Sequence, residues 1–161
     1  MTVLRPNSNI TQTSYTGGFA DIDEVTASDA DLAFGAINSA TPVLEVGTSN
    51  PAALPGGATG VVRWRSAIRN GNATIGSGNA ITGTCILLQG STTIASDAYT
   101  AGNWSTREFT FTLSSVTDFN DLRLRFTQTA SGGSNNTQRT GLAVSWAEID
   151  IPDPRRVFVI T

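Results

Sequence analysis

Four glutamates, Glu24, Glu45, Glu108 and Glu148, are the residues of this chain best suited to catalysis, because a carboxyl pair can hydrolyse a glycosidic bond. That chemistry needs two carboxyls facing each other across a cleft. Nothing in the spacing of these four places two of them face to face, and each reads as a surface residue. The rest of the catalytic alphabet is missing. The 161 residues include no histidine, and all ten basic residues are arginine. Ser-His-Asp and Cys-His arrangements, His-ligated metals, Schiff bases and phosphate-loop lysines are therefore excluded. The expectation is a non-enzyme with no catalytic residue, no cofactor and no required metal. An acidic segment, Asp21 to Asp31, carries Asp21, Asp23, Glu24, Asp29 and Asp31 and could offer oxygens to calcium. It lacks the ordered D-x-D-x-D-G spacing and reads more simply as a solvated loop.

The remaining candidates are binding residues. Trp104, between Asn103 and Ser105, is either an exposed platform for a sugar ring or a plug on the rim of the core; Tyr99 is a second candidate platform. The arginines suit planar, bidentate contacts with carboxylates and keep their charge at any relevant pH. Cys85, in the apolar run Cys85-Ile86-Leu87-Leu88, has no disulfide partner and fits the role of a buried small hydrophobe. A net charge of −3 argues against nucleic acid as partner, since a basic stripe is the usual electrostatic footprint.

These side chains must be positioned by strands. Leu122-Arg123-Leu124-Arg125-Phe126-Thr127-Gln128-Thr129 alternates apolar and polar without a break, the period of a strand with one face in a core. The same grammar recurs in Val61 to Arg69, in Phe109 to Leu113 and in Leu142 to Ala147. No comparable segment holds a helical period. Ile81 to Gln89 and Thr92 to Ser96 read as a hairpin around Gly90-Ser91, and Thr117 to Asp121 as a turn capped by Thr117 or Asp118. Charged residues are only 14%, replaced by Thr, Ser, Asn and Gly. About eight strands at this spacing predict an all-β, two-sheet antiparallel sandwich, jelly-roll-like, over residues 1–151. Its expected core includes Trp64, Leu122, Leu124, Phe126, Val144 and Trp146.

Alternation leaves Arg63 and Arg65 opposite Val62 and Trp64, and Arg123 and Arg125 opposite Leu122 and Leu124. If the two strands share a sheet, its outer face carries an arginine cluster. That cluster is either a solvated face neutralised by nearby acids or a contact face for another subunit. After Ile151 the chain changes character. Pro152 and Pro154 cannot continue a central strand, and Arg155-Arg156-Val157-Phe158-Val159-Ile160 follows as an extended C-terminal arm over residues 152–161. An apolar β-prone arm has to dock, on its own sheet edge or on a neighbouring chain. No apolar stretch approaches the ~20 residues of a membrane span and no leader is evident, so the expectation is synthesis in the cytoplasm without membrane association.

Four stretches together resemble a known group: Leu4-Arg5-Pro6, Asp23-Glu24 through Asp29-Ala30-Asp31, Leu122 to Phe126, and Val144-Ser145-Trp146-Ala147-Glu148. They are similar to small β-sandwich proteins encoded among the virion genes of tailed bacteriophages, head decoration (cement) proteins above all. The resemblance covers residues 1–151; the arm departs from it. It implies a structural virion protein on the capsid exterior, a homotrimer that stabilises the shell by binding the major capsid protein. Arg63, Arg65, Arg123, Arg125, Arg155, Arg156, Val157, Phe158, Val159 and Ile160 are then the candidate interface. Two other classes are kept beside this one. The first is a carbohydrate-binding or host-attachment sandwich of a tail or fibre, and the second a tail or connector component.

Overall fold

In the structure, a computed structural model that describes residues 1–51 and 57–153, two antiparallel sheets face each other. The strands are β1 (Thr2–Leu4), β2 (Pro6–Thr13), β3 (Tyr15–Thr16), β4 (Ala33–Gly35), β5 (Val43–Thr48), β6 (Thr59–Asn70), β7 (Ile81–Gln89), β8 (Thr92–Ala101), β9 (Ser105–Thr112), β10 (Leu122–Gln128) and β11 (Thr140–Ile151). Sheet A runs in the order β3-β4-β11-β6-β9, with β1 on the same edge of β11 as β4; sheet B runs β2-β5-β10-β7-β8. The expected jelly-roll-like sandwich is what the chain builds.

Period two explains the layering. On β10, Leu122, Leu124 and Phe126 are at most 1% exposed, while Arg123, Arg125 and Thr127 point away from the core. On β6, Val62, Trp64 and Ile68 do the same from the opposing sheet. The Trp64 ring packs against Tyr99 at 5.5 Å and edge-on against Phe109 at 5.7 Å, geometries favoured by aromatic quadrupoles. Cys85 is fully buried. The hairpin of β7 and β8 and the turn capped by Asp118, whose side chain accepts from the Asn120 N–H, stand where they were expected.

Two strands depart from expectation. The stretch after Pro6 reads as a polar loop, yet Pro6–Thr13 forms the edge strand β2. It pairs with β5 through two register shifts, and Ile10, its single apolar residue past Pro6, is 45% exposed. Backbone pairing and polar side-chain bonds at Asn9 and Gln12 hold it, so no hydrophobic pattern announces it. Trp146 is the second departure, and it corrects its assignment to the core. The β11–β6 register shifts between Val144 and Trp146, a β-bulge. One extra residue reverses which face each later side chain takes. Ala147, Ile149 and Ile151 enter the core, while Trp146, Glu148 and Asp150 turn outward. The Trp146 indole N–H donates to the Glu24 carbonyl at 3.0 Å.

The acidic segment closes the same edge of sheet A. Ile22 is fully buried, and its carbonyl accepts from Ala147 N–H at 3.0 Å, between the β4 and β1 pairings. The interface residues Arg155 to Ile160 lie outside the described residues. Leu124→Ala is expected to cost about 2–5 kcal/mol by denaturant unfolding, because its cavity would sit between both sheets. Val25→Ala, at a side chain 79% exposed, should change stability by less than about 0.5 kcal/mol.

Candidate functional site

The four arginines of the predicted cluster are divided between opposite surfaces, because β6 belongs to sheet A and β10 to sheet B. Each is neutralised where it stands. On sheet A, Arg63 donates to Glu108 at 3.0 Å, lies 3.6 Å from Glu148 and pairs with Asp150. Those contacts, the Asp150 hydrogen bond first, hold its guanidinium above its ordinary range. Arg5 joins the group through Glu148 at 3.3 Å. On sheet B, Arg123 and Arg125 share the buried Glu45, at 3.2 and 2.7 Å, and Arg123 also binds Asp121. Of the four candidate catalytic glutamates, only Glu108 and Glu148 are brought together. They meet around one arginine rather than across a cleft.

Sheet A carries a different constellation beside that network. Phe34 on β4 pairs with Ala143 on β11, Ala143 with Ala67 on β6, and Ser66 with Ser105 on β9, while Trp104, in the bend just before β9, has its ring beside the outward Arg65. Leu142 and Val144 point into the core, so Phe34, Ala143 and Ala67 form one row on the outer side of the sheet. Two half-buried rings thus flank two alanines. Two arginines reach the rings beside these small side chains. The Arg69 guanidinium sits 3.9 Å from the Phe34 ring, and that of Arg65 sits 5.6 Å from Trp104. Both alanines are fully buried. Arg65 is fixed in turn by a bidentate pair with Asp29 at 2.6 and 2.8 Å, and Ser145 donates to the same carboxylate at 3.2 Å. That pairing keeps the Asp29 carboxyl below its usual range. Each ring is therefore held by a guanidinium from its own sheet.

The corner nearest Arg69 is closed by amide-rich turns. Asn70 accepts from the Asn72 and Thr74 N–H groups through its side-chain oxygen, Gly71 N–H donates to the Asn136 carbonyl at 2.8 Å, and Asn79 N–H to the Gln138 carbonyl. Asn103 stands immediately before Trp104. Here Trp104 is a surface residue of sheet A rather than a rim plug. Tyr99, the other candidate platform, is 5% exposed and donates to Ser66 at 2.9 Å inside the core, where burial pushes its hydroxyl up to about 12. It cannot stack on a ligand.

A concavity of about 210 Å³ opens on sheet B over Gly47. Asn7, Ser8, Asn50, Asn120, Asp121 and Arg123 line it, with no aromatic ring. A side chain at Gly47 would come within 2.6 Å of the Ser8 hydroxyl, so glycine keeps the depression open. In the acidic segment Asp29 is taken by Arg65, and Asp21 accepts from Gly18 N–H at 2.6 Å. Among the described residues no group of three or more acidic, histidine or cysteine side chains is close enough to hold a metal ion.

Glu24 has one carboxylate oxygen buried without a partner. Burial first, then the charges of Asp23, Asp31 and Asp21, raise its carboxyl above the ordinary 4.5, while a backbone hydrogen bond pulls it back. A raised acid contributes stability that is present below its ordinary value and lost as pH rises through the raised one. At neutral pH the ionised group is thus a cost. Glu24→Gln should raise the melting temperature relative to the parent at about pH 7 and lose that advantage at about pH 4. Asp29, held low, acts in the opposite sense, stabilising above its ordinary 3.8 and releasing the fold in acid.

No protein-family model matches the sequence, and no curated protein matches it. Solved structures do. The chain is similar to the C-terminal CBM6 of LamC, a marine laminarinase from Zobellia galactanivorans, with a TM-score of 0.51 and 12% identity over 92% of this chain and 98% of that one. A carbohydrate-binding module CBM36 in complex with calcium and xylotriose follows, with a TM-score of 0.45 and 14% identity over 94% and 99%. A carbohydrate-binding module of Cellvibrio mixtus lichenase 5A in complex with cellotriose gives 0.42 and 12% over 92% and 95%. At these identities the shared property is the β-sandwich fold.

Proposed function

We propose that this chain is a non-catalytic carbohydrate-binding module that reads its ligand on the outer face of sheet A. The observation that carries the proposal is the pair of partly exposed rings, Phe34 and Trp104, on the outer surface of sheet A, each with a guanidinium beside it. Sugar rings present flat C–H faces and rims of hydroxyls. Aromatic rings receive the faces, and planar amide and guanidinium groups receive pairs of hydroxyls. Rings already fixed by Arg65 and Arg69 lose little freedom on binding, which favours affinity. The fold shared with the laminarinase module supports the same reading by analogy. The carboxylates serve as partners for arginine, in keeping with a binding role.

The resemblance to capsid decoration proteins makes a rival proposal, in which the chain trimerises and binds the major capsid protein. One experiment separates the two. Affinity gel electrophoresis against soluble laminarin, xylan and mixed-linkage glucan, followed by calorimetry on any positive, should show retardation by at least one polysaccharide. Trp104→Ala and Phe34→Ala should each weaken that binding roughly tenfold, about 1.4 kcal/mol, with an unchanged circular dichroism spectrum. Asn120→Ala, on the opposite sheet, should leave it intact. Loss with Asn120→Ala alone would move the site to the depression over Gly47. No binding at all, together with a stable trimer that coats capsids, would favour the decoration role.

A further inference from the structure

Eight arginines lie among the described residues, and their surroundings divide them. Arg5, Arg63, Arg65, Arg123 and Arg125 each hold a carboxylate. Arg107 lies over the Tyr99 ring at 4.4 Å and donates to the Thr100 carbonyl. Arg69 and Arg139 have no carboxylate partner among the described residues, and sheet pairing makes them neighbours. Arg69 stands across from Gly141, and Gly71 N–H donates to the Arg139 carbonyl at 3.1 Å, one step beyond the Asn70–Thr140 pair. Alternation makes Arg69 face outward on β6, and Arg139, in the turn just before β11, has its backbone bonded to the end of β6 at the same corner.

The environment of Arg69 is that of an unfilled anion contact. One side of its guanidinium is covered by Phe34, and none of its N–H groups is bonded within the described residues. A guanidinium held against a ring keeps its fork of N–H donors, and such a fork can grip a carboxylate or sulfate with two parallel hydrogen bonds. Arg139 gives its Nε–H to the Gly133 carbonyl at 3.1 Å, which orients the group, and its terminal nitrogens have no partner among the described residues. Trp104 follows Gly102, whose carbonyl accepts from the Ile68 N–H next to Arg69, so its ring lies on the other side of that corner, beside Arg65. The chain as a whole carries −3, so long-range attraction does not draw polyanions in; contact at this corner has to.

We infer that this corner receives the carboxylate or sulfate groups of an anionic polysaccharide, with Arg69 as the bidentate anchor, Arg139 as the second contact and Trp104 beside the sugar ring. The inference rests on the carbohydrate-binding reading and adds the charge of the ligand. Matched pairs of polysaccharides test it: polygalacturonate against its methyl ester, and carrageenan against its desulfated form. The full chain should bind the anionic member of at least one pair tenfold or more tightly, and that preference should shrink as salt rises. The carboxylate pair and the sulfate pair tell the two anions apart. The double variant Arg69→Gln, Arg139→Gln should abolish the preference. Arg125→Gln, which changes net charge in the same sense on the opposite sheet, should keep it. Equal binding of neutral and anionic members, or a preference that survives the double variant, overturns the inference while leaving carbohydrate binding standing. Absence of binding to every polysaccharide overturns both.

Discussion

Strand β11 enters the sandwich with Leu142 and Val144 in the core and leaves it with Ala147, Ile149 and Ile151 there. An unbroken strand cannot make that change of parity, since successive side chains alternate strictly between faces. The bulge at Ser145 makes it, and much of the molecule follows from it. Without the extra residue, Glu148 and Asp150 would face the apolar layer and the two isoleucines would face water. With it, the two carboxylates stand outside, beside Arg63 and Arg5, and the Ser145 hydroxyl meets Asp29. The acidic segment then has a surface to close against, through Ile22 below and the Glu24 carbonyl above.

The charge distribution is economical for the same reason. Few residues are charged, and five of the described arginines occupy outward positions where a carboxylate is within reach. Glu45 is 3% exposed and serves two arginines at once. Pairs of this kind contribute little net stability when exposed, yet removing one partner leaves a buried charge uncompensated. They act as constraints on geometry. Arg65, clamped by Asp29, holds Trp104, and Arg69, without an acid among the described residues, holds Phe34. The pairing pattern therefore separates arginines that consolidate the sheet from those whose donor edges still point at solvent.

Function in a sandwich of this type belongs to its surfaces, since the same fold hosts unrelated roles. The two outer faces differ in kind. Sheet B offers a polar hollow over Gly47 without aromatic rings, and sheet A offers two fixed rings, small residues between them and free guanidinium donors at one corner. A ligand with flat apolar faces and polar edges suits the second better, because both parts of it meet a matching surface at once.

The alternation of Leu122 to Gln128 and of Val61 to Arg69 by itself determined that the chain is a two-layer β protein and which side chains of β6 and β10 fill its core. Missing histidine and lysine likewise bounded the chemistry before any coordinates. Local pattern is sufficient there because burial of one face acts residue by residue along a strand. It was insufficient wherever the deciding interaction crosses between distant segments. The polar Pro6–Thr13 becomes a strand only because β5 supplies the pairing, and Trp146 leaves the core because a bulge, stabilised by its neighbours, changes its face. The separation of Arg63 and Arg65 from Arg123 and Arg125 depended on strand order, which side-chain periodicity does not encode. The pair of rings Phe34 and Trp104, 70 positions apart in the chain, exists only because β4, β11, β6 and β9 lie side by side. Trp104 was visible in the sequence as a candidate, but Phe34 was not, and nothing local says which ring Arg69 will cover.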